Sequence, residues 1–129
     1  MTEKQLHKSI CDYIKLQYPK ALFNTDMSGI KLTIGQATQA KKLRSGNGFP
    51  DIVIYEEGFG KHFKGEYYAL FLEVKKETPF KKNGYLKLNK HFEDQYTMLH
   101  NLEQRRFKAV FVWSFDMAKD IIDKYLIGK

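Results

Sequence analysis

Two apolar stretches of this chain each carry a single carboxylate, and the spacing between those acids constrains how the stretches can pair. Asp51-Ile52-Val53-Ile54-Tyr55 reads as a strand entered through Pro50, and Tyr67-Tyr68-Ala69-Leu70-Phe71-Leu72-Glu73-Val74 reads as a second. Gly58, Gly60 and Gly65 lie between them and mark a hairpin loop. Opposed residues in an antiparallel pair have a constant index sum. For Asp51 against Glu73 the sum is 124, which centres the turn near residue 62, inside that glycine-containing loop. Both acids then lie side by side at one end of a sheet. Like charges so placed repel unless a cation sits between them, and a hard divalent ion such as Mg²⁺ or Mn²⁺ prefers carboxylate, carbonyl and water ligands. The strand period of two puts Lys75 on the face of Glu73, where an ammonium can stabilise charge on a scissile phosphate or orient an attacking water. Taken singly, Asp51 also reads as a turn residue after Pro50, and Glu73 as the partner of a surface lysine. The combination carries the chemical reading.

The remaining elements follow from periodicity. Thr2 and Gln5 form a capping box for a helix in which Leu6, Ile10, Tyr13, Ile14 and Gln17 recur at helical spacing up to Pro19. Ala21–Asn24 reads as a short strand. Residues 25–50 form a long irregular loop whose 37–43 stretch reads as a short basic helix. A second long helix starts near Asn89, with Phe92, Gln95, Leu99 and Leu102 on one face, and Ala109–Trp113 reads as a further strand. Ser114 or Asp116 caps a last helix ended by Gly128. The sequence thus predicts one α/β domain over 1–129, a central mixed sheet flanked by helices.

With 22 Lys and Arg against 15 Asp and Glu, the chain carries a formal charge of +7, which suits a polyanionic partner. Its 43% hydrophobic and 15% aromatic content excludes a disordered basic tail, and the single cysteine, Cys11, excludes a disulfide scaffold. The longest apolar runs are too short to span a bilayer, and Met1-Thr2-Glu3-Lys4-Gln5 contains no apolar leader segment, so an intracellular, cytoplasmic protein without membrane attachment is expected. There is no Walker A or Rossmann glycine pattern, so no nucleotide cofactor is expected. His7, His62, His91 and His100 lack zinc-site spacing, although His91 falls near the head of the second helix.

Two further polar residues sit on faces expected to be buried. Glu3 heads the apolar stripe of the first helix, where it either points toward the sheet end or serves the helix dipole. Gln95 lies among Phe92, Leu99 and Leu102, where it either joins the site or bonds to backbone.

Pro50-Asp51 followed by Glu73-Val74-Lys75 resembles the PD-(D/E)XK nuclease signature, and the element order is similar to that restriction-endonuclease-like core. The resemblance is closest to the VRR-NUC branch, the virus-type replication–repair nucleases. These small domains look like Holliday-junction resolvases and also occur as the nuclease part of a Fanconi-associated repair enzyme. Glu3, Ser28-Gly29, Gly46-Asn47-Gly48-Phe49-Pro50-Asp51, Gln95, and Ser114-Phe115-Asp116 with Ile121-Ile122 and Tyr125-Leu126 extend it over nearly the whole chain. Arg106 departs from it, standing where many relatives have a glycine.

The resemblance implies that Asp51, Glu73 and the Val74 carbonyl hold Mg²⁺ or Mn²⁺. It implies that Lys75 acts near the attacking water, that Glu3 is an outer or second-metal acid, and that Gln95 orients Lys75, water or a phosphate. It also implies an endonuclease acting on branched DNA in repair, such as a Holliday junction, as a homodimer. Lys41, Lys42 and Arg44 before the Asp51 strand, and Lys76, Lys81 and Lys82 after Glu73, are the expected phosphate contacts. The competing expectations are a non-catalytic DNA-binding module of the same fold and a restriction-type nuclease acting on linear duplex.

Overall fold

A computed structural model describes residues 1–25, 34–36, 39, 43, 45, 48–60 and 63–127; of 59–60 and 63–65 it describes the backbone alone. Helix α1 spans Glu3–Gln17 and opens with the expected capping box. The Gln5 N–H donates to the Thr2 hydroxyl at 3.1 Å, and the Thr2 N–H donates to Gln5 Oε1 at 2.8 Å. Its stripe of Leu6, Ile10, Cys11 and Ile14 is buried, each large aliphatic side chain contributing about 1.5–3 kcal/mol.

Strand β1 (Phe23–Thr25) pairs antiparallel with β2 (Ile52–Ile54), and β2 pairs antiparallel with β5 (Leu70–Val74). β5 runs parallel to β6 (Lys108–Val112), giving a mixed four-stranded sheet in the order β1-β2-β5-β6. Helix α2 (Lys90–Glu103) makes the crossover from β5 to β6, and α3 (Phe115–Leu126) follows β6. Their N-caps are Asn89 and Ser114, so the cap of α3 is settled in favour of Ser114 over Asp116.

The alternation of side chains along each strand sorts the core into two layers. Ile52, Ile54, Leu70, Leu72, Val74 and Val112 face α1 and α3, whereas Phe71, Ala109 and Phe111 face Leu99 and Leu102 of α2. By the same parity Glu73 and Lys75 belong to the α2 side of β5.

The chain departs from expectation between the central strands. The expected single strand 67–74 is broken, and the expected loop is itself a two-stranded hairpin of β3 (Gly58–Gly60) and β4 (Phe63–Tyr67). Tyr125 explains the docking of this hairpin. Its hydroxyl donates to the Glu56 carbonyl at 2.7 Å, and Gly58 lies so close to the ring that a Cβ there would overlap it. The break comes where the Tyr68 N–H turns to the Arg106 carbonyl at 2.8 Å, handing the chain to the β6 side.

Arg106 itself takes φ 66° just beyond α2. The Phe107 N–H donates to Leu102 and the Arg106 N–H to Glu103, the Schellman pattern that favours glycine at the left-handed residue. The arginine therefore stands in a glycine conformation. Among the described residues, no helix is long and apolar enough to cross a membrane. The expected basic helix over 37–43 lies largely outside the described residues, as do Gly128 and the Ser28-Gly29 and Gly46-Asn47 pairs.

Candidate active site

The register between the central strands is Ile52↔Leu72, Val53↔Phe71 and Ile54↔Leu70, which keeps the index sum of 124. Asp51, one residue before the last rung, therefore reaches the end of the sheet where Glu73 leaves β5. The contact is direct: the Val74 N–H donates to Asp51 Oδ2 at 2.8 Å. A backbone donor thus fixes the Asp51 carboxylate against the end of the neighbouring strand.

Glu73 is 2% exposed, and its Oε1 accepts from Gln95 Nε2 at 2.7 Å. Lys75 Nζ stands 3.8 Å from the same oxygen and 5.0 Å from the centroid of the Phe92 ring. The Lys75 N–H extends the parallel ladder to the Val112 carbonyl at 2.9 Å, so this lysine is held by backbone and by packing. Asp51, Glu73, Lys75 and Gln95 are the buried polar and charged side chains among the described residues, and all four gather at this one sheet end.

The cluster is not electrostatically at rest. Glu73 Oε2 and Gln95 Oε1 are buried without a hydrogen-bond partner, although buried polar atoms are ordinarily paired. Burial, then the neighbouring Asp51 charge, push the Glu73 carboxyl far above its ordinary range, and Lys75 opposes them only in part. A hard divalent cation suits this donor set: two adjacent carboxylates, one with a free buried oxygen. Among the described residues no three His, Cys, Asp or Glu side chains group as a metal site. Glu3 is exposed at the head of α1, and its charge is the least of the causes that raise Glu73.

Two contacts went unread in the sequence. His91 Nε2 lies 3.1 Å from Gln95 Nε2, so the Gln95 amide spans from His91 to Glu73. The signal was available, since His91 precedes Gln95 by one helical turn. Gly48, at φ 82°, lies against the backbone of α2, where a Cβ would stand 2.8 Å from the Asp94 carbonyl oxygen and 2.9 Å from the Gln95 nitrogen. The approach to Pro50-Asp51 is thereby pressed onto the turn that carries Gln95.

Of the expected phosphate contacts, Lys76, Lys81 and Lys82 are exposed in the segment that follows Lys75. Lys41, Lys42 and Arg44 lie outside the described residues, as does His62.

The mixed four-stranded sheet, with α1 and α3 on one face and α2 on the other, is consistent with a restriction-endonuclease-like fold. Among solved structures, a VRR_NUC domain protein is similar with a TM-score of 0.64 at 19% identity, over 98% of this chain and 88% of that one. The chain thus has the VRR-NUC fold. No family model matches the sequence, and no curated protein does.

Proposed function

We propose that the protein is a divalent-metal-dependent endodeoxyribonuclease that hydrolyses phosphodiester bonds in branched DNA, four-way junctions among them. The observation that carries this reading is the buried, unpartnered Glu73 Oε2 beside Asp51, with Lys75 and Gln95 within reach of the same carboxylate. A structural role calls for a paired oxygen here, because leaving a buried polar group unsatisfied costs about 1–3 kcal/mol.

Asp51, Glu73 and the Val74 carbonyl would hold Mg²⁺ or Mn²⁺, which when bound supplies Lewis-acid polarisation of a phosphate and an acidified water. Lys75 directs its ammonium toward the phosphate and the attacking water. Gln95, fixed by Glu73 on one side and His91 on the other, offers its free Oε1 to orient that water. Glu3 acts from the rim as an outer acid. Lys76, Lys81 and Lys82, together with Lys41, Lys42 and Arg44, neutralise backbone phosphates without reading bases. A two-fold dimer suits the paired strands of a junction.

The test is cleavage of a labelled four-way junction, a splayed duplex and a linear duplex in Mg²⁺, Mn²⁺ or EDTA, with Glu73→Ala as control. Metal-dependent cutting of the branched substrates, lost in the variant, is expected. Equal cutting of linear duplex would replace branch selectivity with a restriction-type activity. Binding without cutting in either metal would leave a DNA-binding module.

A further inference from the structure

Between β5 and α2 the chain builds a small rigid hairpin. Phe80 bridges Leu86 in antiparallel fashion, and the Lys87 N–H donates to the Pro79 carbonyl at 2.8 Å. At the tip the Gly84 N–H donates to the Lys81 carbonyl at 2.9 Å and the Lys81 N–H to the Tyr85 carbonyl at 2.7 Å. Gly84 has φ 89°, and Asn83 Oδ1 accepts from the Tyr85 N–H at 3.1 Å. This is a turn closed by a left-handed glycine, one of the common three-residue hairpin connections.

Its base is anchored, with the Phe80 ring edge-on to Phe111 at 5.8 Å, Trp113 at 6.1 Å and Tyr96 at 6.5 Å between centroids. Its tip is presented to solvent: Tyr85 is 73% exposed, flanked by the exposed Lys81 and Lys82. An exposed aromatic alone is ordinary. Here it is held by a locked turn that also carries two exposed lysines, Lys81 and Lys82. It stands within ten residues of Lys75, on a segment rooted beside the strand that pairs with Lys75.

We infer that this hairpin is a stacking element for DNA, in which Tyr85 packs on a base left unstacked at a branch point while Lys81 and Lys82 hold the adjoining phosphates. The inference rests on the nuclease reading and deepens it, because it assigns branch selectivity to a residue outside the metal cluster. An aromatic face accepts any base, so stacking selects structure without sequence. It favours a branch because bases there need not be unstacked first. The locked turn lowers the ordering cost of binding, as preorganised contacts do.

The test is binding in Ca²⁺ and in EDTA to a four-way junction carrying 2-aminopurine at the branch, beside a linear duplex of the same sequence. Wild-type protein should change the branch-point fluorescence. Tyr85→Ala should abolish that change and reduce the ratio of junction to duplex affinity about tenfold. Tyr85→Phe should keep both, because the ring supplies the contact, and circular dichroism should show all variants folded. An unchanged fluorescence response and affinity ratio in Tyr85→Ala would overturn the stacking role while leaving the nuclease reading intact. Failure of the wild type to bind either DNA would overturn both.

Discussion

Two carboxylates sit in polar clusters on opposite sides of this molecule, and their surroundings could hardly differ more. Asp123 on α3 accepts from the hydroxyls of Tyr13 at 2.6 Å and Tyr18 at 2.7 Å, and from Lys119 Nζ at 3.0 Å. Burial alone would raise its pKa, but those three donors outweigh it and hold the carboxyl below its ordinary value. Glu73 has a single strong donor, Gln95, and an orphaned oxygen, and burial, then the charge of Asp51, push it the other way. The first carboxylate ties α1 to α3 and is complete as it stands. The second keeps a buried oxygen without a partner, the feature on which the proposed metal site rests. That contrast sets a fully satisfied structural acid against the one proposed here to be functional.

The sharpest way to break the comparison is to remove the acids proposed to be functional. Glu73→Ala or Asp51→Ala should lower cleavage by about a thousandfold or more, with the fold retained by circular dichroism. Glu73→Gln should do the same while raising the metal-free stability by about 1–3 kcal/mol near pH 8, since folding no longer has to take up a proton at a buried carboxyl. The sign follows from linkage. Between the ordinary glutamate pKa of 4.5 and the raised folded value, the folded protein holds a proton that the unfolded chain has released. Stability of the wild type therefore falls as pH rises through that window, and the Gln variant lacks that contribution. Urea melts at pH 5 and 8, with and without Mg²⁺, measure it. A wild type and variant with parallel pH profiles would remove the basis for calling Glu73 unsatisfied.

The next effect concerns how the functional acid is held. Gly48→Ala places a methyl against the α2 backbone at a left-handed φ, so it should cost about 2–3 kcal/mol. Cleavage should fall as well, because Asp51 follows two residues after Phe49 on the displaced loop. Full activity in a destabilised Gly48→Ala protein would detach the loop from the site.

Asp123→Asn tests the structural acid. It should lower stability by about 1–2 kcal/mol through weaker hydrogen bonds to both tyrosines. The folded pKa of Asp123 is depressed, so its contribution is present above the ordinary aspartate value and is lost as pH falls through the folded one. The gap between wild type and variant should accordingly close in acid. Cleavage at pH 7 should not change; a large loss of turnover would erase the distinction between the two clusters.

The acid proposed to be functional is far more legible in the sequence than the structural one. Asp51, Glu73, Lys75 and Gln95 announce themselves because each interrupts an apolar pattern, and strand parity with a constant register sum places them together. The extra β3–β4 hairpin was hidden because its docking depends on Tyr125, 67 residues further on than Gly58, and no local pattern encodes that contact. The Asp123 cluster was hidden for the same reason: its two tyrosines lie 110 and 105 residues away along the chain. His91 was visible at helical spacing from Gln95, but whether an exposed first-turn histidine faces a site depends on the neighbouring strand. The break at Tyr68 arises where a backbone N–H finds Arg106, and backbone partners leave no trace in side-chain pattern.

Arg106 sharpens the comparison from a third direction, because its cost belongs to the backbone and lies outside both clusters. A non-glycine residue at φ 66° costs about 1 kcal/mol relative to glycine, and nothing in the Schellman hydrogen bonds requires a side chain there. Arg106→Gly should therefore stabilise the protein by somewhat under 1 kcal/mol, since the glycine also adds freedom to the unfolded chain. The midpoint of thermal unfolding should rise by about 2–5 °C. Cleavage at a fixed salt concentration should be unchanged. Relief of the strain at Glu73 is expected to gain stability and destroy activity, whereas relief at Arg106 should gain stability and leave activity alone. If Arg106→Gly also impaired cleavage, the tension at the end of α2 would be part of the catalytic arrangement, and the distinction between functional and incidental strain would have to be redrawn to include it.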